Sequence, residues 1–168
     1  RDYCRKINRP MRELIQDDDR RRLLSEIFKQ HNGEYAAEND ILELSSAITY
    51  IKNMMLTDEQ ISEIESEYPH LSAMYQSYQN ALKDKYQMDF DDQMVFALWI
   101  LQKDEEITSA LRMRYKYICV DEAQDTSKIQ HEIIKIIAQG NNLFMVGDED
   151  QSIYGFRAAY PKALLNFR

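Results

Sequence analysis

Two short acidic clusters are the residues of this sequence best placed to do chemistry: Asp121-Glu122-Ala123-Gln124-Asp125 and Gly147-Asp148-Glu149-Asp150-Gln151. Each directly follows a short apolar run, Tyr117-Ile118-Cys119-Val120 in one case and Leu143-Phe144-Met145-Val146 in the other. Carboxylates that share a crevice repel one another and are costly to hold together unless a cation lies between them. Mg2+ suits such a place, being a hard ion that takes carboxylate, water and phosphate oxygen. The residues alone therefore suggest a Mg2+–phosphate site, with Asp121 and Glu122 its strongest members. Asp125 and Asp150 are equally well read as caps on the helix or turn that follows.

For the clusters to meet, the two apolar runs must be adjacent strands. Between them, Ile129, Ile133, Ile134, Ile136 and Ile137 mark a helix that Gly140 stops. Strand, helix of roughly fifteen residues and strand make a βαβ unit, in which both strands read as parallel and apolar on both faces. Open α/β sheets bind ligands at the carboxyl ends of their strands, where both clusters lie. Upstream, residues 1–112 read as a helical region of five or so helices. Asp17, Asp18 and Asp19 offer N-caps ahead of Leu23, Leu24, Ile27 and Phe28, and Asp40 can cap a helix through Ile41, Leu44, Ile48, Ile51 and Met55. Thr57 and Gln60 have capping-box spacing. Pro69 suits a first helical position before Leu71, Met74, Tyr75, Tyr78 and Leu82, a stripe read as core. A further helix runs from about Asp91 to Leu101, and a last one starts near Pro161. The fold is thus mainly α with a small α/β part.

Composition bounds the function. Among 168 residues, 44% are hydrophobic and 30% charged, which is a globular composition, and only four Gly and three Pro disfavour a turn-rich all-β fold. Two cysteines, Cys4 and Cys119, cannot build a disulfide scaffold, and a reducing cytoplasm is the natural setting. No apolar run is long enough to span a membrane, so no membrane partner is expected. A net charge of -8 excludes a basic coat, although a local phosphate-binding patch stays open at Arg1, Arg5, Lys6, Arg9, Arg12 and Arg20 to Arg22. The acidic positions Asp58, Glu59, Glu63, Glu65, Glu67 and Asp84 read as a solvated face. With Arg in place of an initiator Met, the sequence reads as an excised piece.

Val120-Asp121-Glu122-Ala123-Gln124-Asp125 resembles motif II, the Walker B element, of the UvrD/Rep/PcrA-type superfamily 1 DNA helicases. The run Gly147-Asp148-Glu149-Asp150-Gln151-Ser152-Ile153-Tyr154-Gly155-Phe156-Arg157 resembles their motif III, and Met88-Asp89-Phe90-Asp91-Asp92 is similar to a shorter motif that precedes the Walker B strand. The resemblance covers residue 88 to the end. It implies an incomplete RecA-like P-loop NTPase parallel sheet over residues 88–168, with residues 1–87 as the inserted helical subdomain called 1B. It also implies Mg2+ and ATP as cofactor and substrate, and single-stranded and duplex DNA as partners. Asp121 would hold Mg2+ on the β- and γ-phosphates, and Glu122 would be the general base for the hydrolytic water. Gln124 would join the nucleotide network, and Gln151 would contact the γ-phosphate. Tyr154 and Phe156 would stack on bases of single-stranded DNA, with Arg157 either supporting them or tying that site back to the nucleotide site. The family often has Trp where Phe156 stands.

None of the four glycines begins or closes a G-x-x-x-x-G-K-[ST] phosphate loop. The resemblance places that loop before these residues and the transition-state arginines after them. The 168 residues alone are therefore expected neither to hydrolyse ATP nor to unwind DNA. The bare edge of the second strand is expected to self-associate or be covered by a terminal segment. Two other readings stay open. One is a two-metal nuclease using Asp121, Glu122, Asp125 and Asp148. The other is a helical interaction module with a vestigial nucleotide half-site.

Overall fold

The computed structural model describes residues 2–65 and 68–148, which are mainly helical with two small parallel strand pairs. The chain opens with α1 (Asp2–Lys6) and β1 (Glu13–Leu14). Four helices follow: α2 (Asp17–Asn32), α3 (Glu38–Met54), α4 (Asp58–Ile64) and α5 (Leu71–Asp84). Then come β2 (Gln87–Met88), α6 (Phe90–Lys103), α7 (Glu105–Arg114) and β3 (Tyr117–Val120). A 3-10 turn at Ala123–Asp125 leads into α8 (Lys128–Ala138) and β4 (Asn142–Met145). The helix expected near Pro161 lies outside the described residues.

Seven helices, not five, precede β3 among the described residues. The short α1 carries no periodic signal, and beyond the helix read to Leu101 the chain breaks at Asp104 and starts a further helix, α7. Asp104 is extended (φ -117°, ψ 91°), and its carboxylate accepts from the Ile107 N–H at 3.1 Å, capping α7. Lys6 holds the same carboxylate at 2.7 Å, which ties α1 to this break.

Three helix starts differ from expectation. Gln16, not an aspartate, occupies the N-cap of α2, while Asp17, Asp18 and Asp19 fill its first turn and face the positive end of the helix dipole. Asp40 lies inside α3 and accepts the Ala37 N–H at 2.7 Å. Pro69 lies outside α5, in a turn closed by the Leu71 N–H on the Tyr68 carbonyl at 3.2 Å, where its fixed φ suits the second turn position. The Thr57–Gln60 box forms as read, with Thr57 N–H on Gln60 Oε1 at 3.0 Å.

The core lies among α2 to α5. Leu24, Leu44, Ile48, Ile51, Leu71, Met74, Tyr78 and Leu82 are buried there, so the methionine and tyrosine stripe is core, as expected. Each such side chain contributes about 1.5–3 kcal/mol by leaving water. A joint missed in the sequence ties this core forward: β1 pairs in parallel with β2, Glu13 opposite Gln87 and Leu14 opposite Met88. Most of the early basic residues have partners within the chain, several of them in exposed surface pairs. Arg5 pairs with Asp2, Arg21 with Glu38 and Arg22 with Asp19, while Arg12 lies 5.0 Å from the Phe96 ring centre.

The βαβ order forms as read, with β3 and β4 parallel and Val120 opposite Met145, although α8 has 11 residues and not about fifteen. The two strands are not buried on both faces, however. Ile118, Val120, Leu143 and Met145 are half-buried, whereas Tyr117 (79% exposed), Cys119 and Phe144 (65% exposed) face outward. Among the described residues these two strands form a sheet of two, so nothing described covers that face.

Candidate functional site

The two strand tips meet. Val146 N–H donates to the Val120 carbonyl at 2.8 Å, and the Ala123 N–H donates back to the Val146 carbonyl at 2.8 Å. The chain leaving β3 thus crosses the end of β4, bringing the Asp121–Asp125 cluster beside Gly147 and Asp148. Turning this sharply puts Glu122 in the left-handed region (φ 48°, ψ 45°), which costs a non-glycine residue about 1–2 kcal/mol.

Gln124 is the link between the tips. It is 2% exposed, its Nε2 donates to Glu122 Oε2 at 2.6 Å, and its Oε1 accepts the Asp148 N–H at 3.0 Å. One amide therefore fixes the Glu122 carboxylate and reads the backbone of the second cluster. Gly147 makes room for it: a Cβ there would lie 2.6 Å from Gln124 Oε1 and 3.1 Å from the Ala123 and Gln124 nitrogens. Asp121 is exposed, with Oδ1 accepting the Glu122 N–H at 2.9 Å. Such an exposed carboxylate at a strand tip is a hard oxygen donor, and it fits a Mg2+ ion held on one side by phosphate and water.

Asp125 does not cap the next helix. That role falls to Ser127, whose N–H donates to Gln130 Oε1 at 2.8 Å, while Asp125 sits in the 3-10 turn with Oδ1 buried and without a hydrogen-bond partner. Behind the turn, Thr126 Oγ1 lies 2.6 Å from both the Ala123 carbonyl and His131 Nε2. Burial, followed by the Lys135 charge and against that of Glu132, lowers the His131 pKa from its ordinary value. Among the described residues no three His, Cys, Asp or Glu side chains gather into a metal-holding group. Gln151, Tyr154, Phe156, Arg157 and Asp150 lie outside the described residues.

The third motif forms a different structure. Asp89 and Asp92 cap α6 reciprocally, Asp92 N–H on Asp89 Oδ1 at 2.8 Å and Asp89 N–H on Asp92 Oδ2 at 3.1 Å. Lys52 of α3, 3% exposed, reaches the remaining oxygen of each at 2.7 Å. Tyr78 donates to Asp89 at 2.9 Å, and Arg20 donates to Tyr78 at 3.0 Å. Asp91 accepts from Thr49 at 2.8 Å and Asn53 at 2.7 Å. Burial pushes the Asp89 carboxyl up, but Lys52 and the hydrogen bonds outweigh it and hold the pKa below the ordinary range. Nothing in the sequence pairs Lys52 with these aspartates, because the contact spans 37 residues between separate helices.

A parallel strand–helix–strand unit with acidic and amide side chains converging at its strand tips is the ligand-binding arrangement of α/β proteins. The sequence matches the UvrD/REP helicase N-terminal domain over residues 1–168, and the chain belongs to that family. It is 34% identical over 161 residues to a probable DNA helicase II homolog of Mycoplasma capricolum, covering 92% of this chain and 22% of that protein. It is 29% identical over 157 residues to the ATP-dependent DNA helicase PcrA of Staphylococcus aureus, covering 92% of this chain and 21% of that one. One component of an ATP-dependent helicase/nuclease of Lactococcus lactis is 44% identical over 91 residues, covering 54% of this chain and 8% of that protein. The chain therefore spans about a fifth of the length of the helicase II homolog and of PcrA.

Proposed function

We propose that this chain supplies one wall of the nucleotide site in an ATP-dependent DNA helicase, which couples Mg-ATP hydrolysis to movement along single-stranded DNA and to unwinding. The observation that carries this is the Gln124 bridge, which joins the Glu122 carboxylate at one strand tip to the Asp148 backbone at the other. Residues 88–168 are the partial RecA-like part and residues 1–87 the inserted 1B-like helical part. The Lys52–Asp89–Asp92 clasp is the joint between them.

Asp121 would hold Mg2+, which would supply positive charge to offset that of the nucleotide phosphates. Glu122, oriented by Gln124, takes the proton from the attacking water as general base. Gln151 contacts the γ-phosphate three residues from Tyr154 and five from Phe156, a short path from phosphate loss to bases stacked on those rings, with Arg157 supporting them. The 168 residues alone are inactive, because they contain no G-x-x-x-x-G-K-[ST] loop. A cytoplasmic location suits this activity. Among the described residues, no helix is long and apolar enough to cross a membrane.

The test uses the full-length parent enzyme carrying Glu122→Gln. Turnover of ATP stimulated by single-stranded DNA should fall about 10²–10⁴-fold while DNA binding is kept. Turnover within twofold of the unmodified enzyme would refute the assignment.

A further inference from the structure

The Glu122–Gln124 turn is held from behind by a hydrogen-bonded chain with a defined direction. Ala123 is fully buried, and its N–H is fixed to the Val146 carbonyl at 2.8 Å. Its own carbonyl lies 2.6 Å from Thr126 Oγ1 and accepts the Thr126 N–H at 3.3 Å. A carbonyl oxygen only accepts, and Thr126 has a single hydroxyl proton, so that proton points to Ala123. The 2.6 Å contact between Thr126 Oγ1 and His131 Nε2 must then run the other way, with His131 donating. This places the imidazole proton on Nε2.

His131 is anchored for the task. It is 2% exposed, in the first turn of α8, and its N–H donates to the Ser127 carbonyl at 3.0 Å. The Ser127–Gln130 capping pair fixes the start of that helix. From α8, a rigid ring thus reaches the turn, and Thr126 passes the constraint to Ala123. The residues on either side of Ala123 are Glu122 and Gln124, whose side chains bond to each other at 2.6 Å.

We propose that His131 is a positioning residue: through Thr126 it fixes the Ala123 carbonyl, and with it the orientation of the Glu122–Gln124 pair during ATP hydrolysis. The inference rests on reading that pair as part of the ATPase site. It adds a residue from α8 that neither acidic cluster contains.

The experiment is steady-state ATP turnover by the full-length parent enzyme with single-stranded DNA. His131→Leu removes the donor and should lower kcat roughly tenfold while leaving KM for ATP within about twofold, because the nucleotide contacts are untouched. His131→Gln, whose Nε2 can reach the same oxygen, should recover most of the loss. Thr126→Val should match His131→Leu, Thr126→Ser should be near the unmodified rate, and the Leu/Val double variant should be no slower than the slower single one. An unchanged kcat in His131→Leu, a loss confined to KM, or multiplying losses in the double variant would overturn the proposal. If His131→Leu does not fold, the Thr126→Val and Thr126→Ser pair carries the same comparison. Glu122→Gln separates the two levels: if it abolishes turnover while His131→Leu is silent, the positioning role alone fails, and if it too is silent, both fail.

Discussion

Gln124 does two things with one amide: its NH2 orients a carboxylate and its oxygen captures a backbone N–H from the neighbouring strand tip. This leaves no space at position 147, where a Cβ would come within 2.6 Å of the amide oxygen. Gly147→Ala should therefore push Gln124 aside and destabilise the fold by about 1–3 kcal/mol, as overpacking does. Thermal unfolding checks this, and an unchanged midpoint would show that the turn relaxes freely. Asp121, Glu122 and Gln124 were legible as a group because they directly follow an apolar run, and a strand tip is where such side chains converge. The need for glycine at 147 was not, since it arises from an approach between Gly147 and Gln124, which stand on separate strand tips. His131 and Thr126 carry no periodic signal either, although Ser127 and Gln130 have the capping-box spacing that would have located the start of α8.

At the scale of elements, the decisive feature is the clasp that holds α3 and α5 against the start of α6. Every carboxylate oxygen of Asp89 and Asp92 is engaged by the cap bonds, by Lys52 or by Tyr78. Burial first, then the Asp89 charge, raises the Tyr78 pKa and keeps its hydroxyl a donor. Lys52→Met would leave two buried carboxylates without their cation and should cost about 3–5 kcal/mol. The triple variant Lys52→Met, Asp89→Asn, Asp92→Asn should recover most of that, since amides still cap the helix. Denaturant unfolding of the three proteins separates these outcomes, and equal loss in single and triple variants would contradict the account. The sign of the acid effect follows from the lowered Asp89 pKa. In the window between its folded value and the unfolded one near 4, the unfolded chain binds more protons, so the clasp's contribution is complete above about pH 4 and is lost as pH falls through the folded value. This steepening of acid unfolding should vanish in the triple variant. The sequence showed Met88-Asp89-Phe90-Asp91-Asp92 only as a motif, because its cation comes from another helix.

For the whole molecule, the positions of α2 to α6 and the core stripe were legible from three- and four-residue spacing, though α1 and α7 were not, and the βαβ order was legible from two apolar runs around a helical one. Strand burial was not, because an apolar run reports what a strand can bury and not what is present to cover it. The exposed face with Tyr117 and Phe144, and the edge of β4 that is unpaired among the described residues, lead us to expect self-association of the 168-residue chain. Sedimentation velocity should show mass rising with concentration and Phe144→Lys suppressing the rise, whereas a monomer at every concentration would contradict this. The central claim is that the tips of β3 and β4 form one wall of a Mg-ATP site, and equilibrium binding read beside single-turnover hydrolysis in the full-length enzyme tests it most directly. Asp121→Asn should lose the Mg2+-dependent part of ATP affinity, while Glu122→Gln should bind Mg-ATP as the unmodified enzyme does yet hydrolyse it at least about 100-fold more slowly. Unaltered Mg2+ dependence in the first variant and unaltered hydrolysis in the second would contradict it.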